Sequence, residues 1–396
     1  MAESGVALMD EAPGEMARPQ MPWGKVLAGG IGFLALTVGV FSWLFSRAPG
    51  GHAGPALADL RWGYLPLILL VIPVETLAAG LRMWIVSRTL QPGVRFGTCI
   101  RAELANAAMN LLTPAHSGGG PAQIYMLTRT GVRAGTALTI SLVGFLGTMV
   151  GLTGTALYCL LTTSVHAGPL FLTSVGAILM LAVAMTLGAA CPDLLRRLVS
   201  SVARALWVLA GRRWALEDWW PPDIAPQGCA VDHLDPVSRR LVDLIFTYRD
   251  DVHRFIRVGG PSFLWVCLLS TVFLGARVVL AILSVRFLGL GGPEGLGAPA
   301  ALGPASLRHI AEIQLQLIFI MFFAPTPGGA GIAEGASFSI MADVVPAGVA
   351  PYYNLLWRFS TAYLAAMAGL LCLGWALVQD ASRIAARQPE PRQPRA

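Results

Sequence analysis

The sequence predicts an all-α polytopic membrane protein, with about six full transmembrane helices and two oppositely oriented re-entrant helical hairpins forming an inverted repeat. Three observations lead there. Of the 396 residues 55% are hydrophobic and only 13% charged, whereas a soluble domain carries about 25% charged residues. Several apolar runs exceed the roughly 20 residues that cross a hydrocarbon core. Two further apolar stretches are each interrupted near the middle by proline and glycine.

Residues 1–23 form a polar segment. Met1 to Gln20 holds Glu3, Asp10, Glu11 and Glu15. It has neither the charged-then-apolar order nor the small-residue cleavage site of a signal peptide, so none is expected. Six spans follow, at about 24–46, 64–87, 135–162, 168–190, 260–287 and 352–378. The first membrane half is therefore 24–190 and the second 259–379, with a tail over 380–396.

The interrupted stretches are 97–130 and 306–345. One breaks at Thr113-Pro114-Ala115-His116-Ser117-Gly118-Gly119-Gly120-Pro121, the other at Pro325-Thr326-Pro327-Gly328-Gly329-Ala330-Gly331. Proline lacks a backbone donor and glycine frees the backbone, so neither stretch is expected to be one continuous helix. Each half is too short to cross alone. Two half-helices meeting at a turn inside the membrane fit better, provided the turn is buried in protein or faces a wet cavity.

Arginine sets the orientation. The net charge of +6 comes from 27 Arg and the single Lys25 against 22 acids. Residues 191–258 carry Arg196, Arg197, Arg204, Arg212, Arg213, Arg239, Arg240, Arg249, Arg254 and Arg257, and the tail adds Arg383, Arg387, Arg392 and Arg395. Loop 163–167 has none. The Arg-rich sides, and with them both termini, are expected to be cytoplasmic, and nucleic acid is not an expected partner. The first hairpin then starts and ends on the cytoplasmic side, the second on the outer side. Glu103 precedes Thr113-Pro114 and a glycine run, and Glu312 precedes Thr326-Pro327 and another. Paired broken helices of this kind point to a midplane site.

Residues 191–258 are read as a cytoplasmic connector. Leu194 to Leu209 and Arg239 to Val258 have the pattern of amphipathic helices with basic faces, suited to anionic headgroups. The scattered Cys99, Cys159, Cys191, Cys229, Cys267 and Cys372 form no metal motif and indicate no disulfide. No cofactor is expected. There is no GxSxG elbow, and no Lys-Ser/Thr follows Gly328–Gly331, so neither a hydrolase nor an ATPase is indicated.

Charges inside spans usually face a bundle interior. Here these are Glu75, Arg82, Arg101, Glu103, Arg277, Glu312, Glu334 and Arg358. Arg82, Arg277 and Arg358 could hold a phosphate two oxygens at a time, or pair with the glutamates and lock the hairpins. Glu75 and Arg82, seven residues apart, each need a partner on another helix. Asn106, Asn110, Gln314 and Gln316 could line a cavity or bond across helices. Arg88, Arg95, Arg129 and Arg286 are read as snorkelling anchors, His116 as a structural turn residue, and Gly144, Gly147, Gly151 and Gly154 as a packing stripe.

The two turns resemble those of the flippase-like transmembrane family related to the membrane domain of lysylphosphatidylglycerol synthases. Asn106, Asn110, Pro114 and Gly118-Gly119-Gly120 match its Asn-rich helix and Pro/Gly-Gly turn. Ala324 to Glu334, with Thr326, Pro327, Gly328 and Gly329, matches its later turn and acid. The resemblance covers about 64–378 and lacks the aminoacyl-transferase domain. It implies a lipid flippase or lipid-binding translocator of the bacterial inner membrane and no enzyme. Its partners would be membrane lipids with anionic or phosphate-bearing headgroups. Substrate contacts would fall among Arg82, Asn106, Asn110, Pro114, Gly118, Gly119, Arg277, Glu312, Thr326, Pro327, Gly328, Gly329, Glu334 and Arg358. The alternatives are an intramembrane headgroup transferase using Glu103, Glu334 and His116, or a scaffold docked to lipid or hopanoid synthesis enzymes, in either case with homo-oligomers open.

Overall fold

The computed structural model describes residues 23–47, 58–162, 236–290, 304–322 and 324–385, with isolated positions between 175 and 183. The described residues form helices and turns only. In order these are α1 (Trp23–Arg47), α2 (Leu65–Leu90), α3 (Phe96–Leu112), α4 (Gly119–Thr128), α5 (Ala134–Thr162), α6 (Pro236–Val258), α7 (Gly260–Phe287), α8 (Pro304–Phe322), α9 (Ile332–Ile340), α10 (Ala350–Arg358) and α11 (Leu364–Ala385). A π turn, Phe359–Tyr363, joins α10 to α11.

Four stretches are long and apolar enough to cross a membrane: Trp62–Leu90, Ala134–Thr155, Gly260–Phe287 and Ala350–Arg383. They coincide with the second, third, fifth and sixth expected spans. α1 is helical, and its apolar part is the shorter Ile31–Ser46. The expected span at 168–190, apart from a few isolated helical positions, and the connector up to residue 235 fall outside the described residues. Pro261 and Pro351 open α7 and α10, in the turn whose N–H groups have no intrahelical acceptor, whereas Pro73 lies inside α2. Large apolar side chains such as Leu70, Leu264, Leu371 and Val378 stay exposed, as expected where the surrounding solvent is lipid.

Both interrupted stretches are helix–turn–helix units. The first is α3, a 3-10 turn at Pro114–His116, and α4; the second is α8, a 3-10 turn at Pro327–Gly329, and α9. Each lies between two long helices, α2 and α5 for the first, α7 and α10 for the second. α2 and α7 pack along each other at the centre, and the two turns touch. α2 belongs to both cores. Met83 and Val86 join Ala102, Ala105, Met126 and Leu373, while Ile68 joins Leu280, Ile313, Ala333, Tyr353 and Trp357.

Glycine permits the closest approaches. A Cβ on Gly369 would meet the Leu104 carbonyl oxygen, so α11 lies directly on the α3 backbone. The expected stripe on α5 is only half used. Gly147 and Gly151 face Val266 and Leu274 of α7, whereas Gly144 and Gly154 have nothing within 4 Å of a built Cβ. α7 crosses α5 over just that middle section.

Two expectations from sequence are corrected. Arg129 is no free anchor: its Nε lies 2.9 Å from Asp380 Oδ1 and its Nη2 donates to Gln379 Oε1 at 2.9 Å. The tail does not begin at 380, because α11 runs to Ala385 and Asp380 is buried, also accepting from Tyr125 Oη at 2.8 Å.

Gly369→Val should destabilise the protein by about 1–3 kcal/mol, since a branched side chain has only backbone to push against. Gly144→Ala should be neutral or stabilising by up to about 1 kcal/mol, having open space and better helix propensity. Thermal unfolding of the two variants in one detergent checks the contrast.

Candidate functional site

The candidate site forms where the turns meet the α2–α7 axis. Of the four arginines singled out inside the apolar stretches, Arg82, Arg277 and Arg358 each face a glutamate, whereas Arg101, against expectation, is exposed and donates from Nε to Gly97 O at 3.1 Å on its own helix. On α2, Glu75 accepts from Arg277 Nε of α7 at 2.7 Å. Arg82, about two turns on, reaches Glu103 of α3 at 3.6 Å. It also donates from Nη1 to Thr148 Oγ1 at 2.5 Å and to Ser270 Oγ at 3.2 Å. Phe273 joins these pairs: its ring lies 5.1 Å from the Arg82 guanidinium and 4.8 Å from that of Arg277, a favourable geometry for two cations over one ring system.

From Glu103 a polar ladder runs down α3 to the first turn. Asn106 Nδ2 donates to Glu103 Oε2 at 3.3 Å, and Asn110 Nδ2 to Asn106 Oδ1 at 3.1 Å. Gly119 opens α4 directly over this ladder, and a Cβ there would run into both asparagine oxygens. Thr113 closes the turn. Its hydroxyl donates to Met109 O at 2.6 Å and accepts from Gly118 N–H at 2.8 Å. Ala115 and His116 take left-handed backbone, φ 51° and 56°, which costs a non-glycine residue of order 1–3 kcal/mol. Such strain persists only where the surroundings impose it.

The second turn is held by Arg358 and Glu334, each with a 1% exposed side chain. Arg358 Nη2 donates to Gly328 O at 2.6 Å. Its Nε stands 2.9 Å from Glu334 Oε1, a charge contact not aligned as a hydrogen bond. Glu334 Oε2 accepts the Gly331 N–H at 2.7 Å and so caps α9. Gly328, Gly329 and Gly331 all have positive φ, which explains three glycines in four residues. Gly328 rests on Leu111 of the first unit, and the two turns are in contact. The turns therefore bring the two clusters into one neighbourhood.

Of the residues singled out from sequence, Arg82, Asn106, Asn110, Gly118, Gly119, Arg277, Gly328, Gly329, Glu334 and Arg358 are engaged in this assembly. Pro114, Thr326 and Pro327 shape the turns, and Thr326 Oγ1 is buried with no hydrogen-bond partner. Glu312 instead accepts from Arg308, one turn earlier on α8, at 2.8 Å. Gln314 is fully buried with neither amide atom bonded. Sequence reasoning missed Thr148, Ser270, Phe273 and Thr113. The available signal was small hydroxyls inside otherwise apolar spans, and an aromatic residue four before Arg277.

The profile of the family described as "Lysylphosphatidylglycerol synthase TM region" matches residues 28–369 of the chain. No curated protein and no solved structure matches.

Glu334→Gln should cost about 3–5 kcal/mol, because it leaves Arg358 buried and unpaired. Adding Arg358→Met should recover more than half of that loss. A double-mutant cycle by equilibrium unfolding measures both.

Proposed function

Because the chain belongs to the lysylphosphatidylglycerol synthase TM-region family, matched over residues 28–369, we propose that it binds a membrane lipid by its headgroup and moves it between leaflets. In this reading the two helix–turn–helix units are re-entrant hairpins entering from opposite faces of a cytoplasmic membrane, with both termini cytoplasmic. They form the inverted repeat that the sequence order suggests. The observation that carries the reading is the contact of the two Pro/Gly turns beside buried charge, with Gly328 on Leu111 and Arg358 bonded to Gly328 O. Paired broken helices at the midplane are the usual build of a site served from both sides.

The three guanidiniums have different parts in this reading. Arg358 is fully buried and bonded to the turn it supports, so it holds the architecture. Arg82 is the exchangeable cation. Its carboxylate contact is the longest, 3.6 Å, and its buried Nε has no hydrogen-bond partner. A phosphate oxygen arriving there would displace Glu103 and gain the fork geometry that guanidinium offers. Arg277, with a 28% exposed side chain, would supply a second contact across Phe273. Asn106 and Asn110 would receive the remainder of the headgroup. Binding and release require no covalent step. Rocking of one half against the other would present the site to each leaflet.

Two measurements test this. Proteoliposomes carrying a fluorescent phospholipid, quenched from outside with dithionite, should lose the protected inner-leaflet signal faster than protein-free vesicles. Arg82→Gln should slow that loss about tenfold, the worth of one charge-assisted hydrogen bond. Wild-type vesicles no faster than empty ones would sink the transport reading. For topology, single cysteines at Gly93 and Ala347 should label with impermeant reagent from opposite faces, cytoplasmic and outer respectively. Labelling from the same face would remove the inverted repeat.

A further inference from the structure

We infer that the last two turns of α6 form a second lipid site, one that holds the headgroup of an anionic phospholipid at the membrane boundary, away from the two Pro/Gly turns. One face of α6 is committed to the bundle. Val252 and Phe255 are buried, Thr247 lies against Gly135 of α5, and Arg254 Nη1 is 3.5 Å from Leu90 O at the end of α2. The rest of the helix surface is open, with Arg254 at the boundary between the two. Arg249, Asp250, His253, Arg254, Arg257 and Val258 line a groove of about 460 Å3. Arg249, His253 and Arg257 follow one another at intervals of four, so they form a single stripe about 12 Å long. His253 is held in that stripe by a 2.9 Å contact of its Nδ1 with Arg249 O. Three guanidiniums face one carboxylate in the groove, Asp250, while the neighbouring Asp251 keeps its Oδ2 buried.

The position of the groove selects the occupant. α6 stops at Val258 and α7, a membrane-crossing helix, starts at Gly260. The stripe therefore ends where the apolar span begins, at the depth of phosphates and glycerol. Around its end Ile256, Val258, Leu264 and Trp265 are 52%, 68%, 72% and 59% exposed. A tryptophan at this level is an interface anchor. A soluble anion would neutralise the arginines and leave those apolar surfaces uncovered. An anionic phospholipid covers both, with its phosphate on the fork of Arg249 or Arg257 and its acyl chains along the start of α7. This site uses none of the residues assigned to translocation.

The test uses the full chain in detergent, with retained lipid measured by native mass spectrometry during titration with dioleoylphosphatidylglycerol, dioleoylphosphatidylcholine or inorganic phosphate. Phosphatidylglycerol should bind in preference to phosphatidylcholine. The double variant Arg249→Gln, Arg257→Gln should raise its apparent dissociation constant about thirtyfold, while melting like wild type without lipid. Arg254 is left in place because it contacts Leu90. Arg82→Gln should leave this binding unchanged, which separates the site from the one proposed for transport. Equal retention of phosphatidylglycerol by wild type and double variant would overturn the inference. So would equal retention of the two lipids. Inorganic phosphate that competes at the same concentration as the lipid would also overturn it, since the site would then read a free anion.

Discussion

A backbone turn within a helical bundle needs partners for its N–H and C=O groups, and each group left bare away from water costs several kcal/mol. The whole arrangement follows from meeting that demand twice. In the first turn, Ser117 N–H goes to Pro114 O and Gly118 N–H to Thr113 Oγ1. In the second, Gly329 and Ala330 N–H go to Thr326 O and Pro327 O, Gly331 N–H to Glu334, and Gly328 O receives Arg358. The two turns also touch, Gly328 resting on Leu111, while Pro114, Ala115 and Ser117 stay exposed. The two interrupted helices thus meet at their turns.

Charge enters because the second turn needs it. Arg358 bonds a carbonyl that no neighbour in the chain reaches, and a guanidinium so deep in protein requires a carboxylate nearby. Glu334 meets that need while capping α9, so one acid satisfies a helix end and a buried cation together. The pairs on the α2–α7 axis follow the same rule with looser geometry. Arg82 shares itself among a carboxylate, two hydroxyls and an aromatic face. A cation held by several partial contacts is easier to re-partner than one held by a single tight pair.

The sequence revealed what is local. Long apolar runs gave six spans, four of which recur among the described residues, and Pro/Gly runs gave both breaks, because hydrophobic length and backbone freedom are written in consecutive residues. It also showed that Glu75 and Arg82 must look elsewhere for partners, since the helix repeat forbids them to each other. It could not show which partners, because Arg277 lies 202 positions from Glu75 and Ser270 188 from Arg82. Arg129 reads as an anchor until Asp380, 251 positions on, is placed beside it. The half-used glycine stripe has the same origin: spacing shows that a close approach is permitted, and only the crossing of α7 decides where it occurs.

The π turn at Phe359–Tyr363 links two helices with different allegiances. Before it, Arg358 is bound to the second turn; after it, Gly369 and Asp380 are bound to the first unit and its exit. A π turn winds one extra residue into a helix, which offsets everything downstream by about 100°. The last span thus acts as a crankshaft with its two throws set at different angles. Regular α geometry over the same five residues would preserve a membrane-spanning helix and yet turn one of its throws away from its bearing.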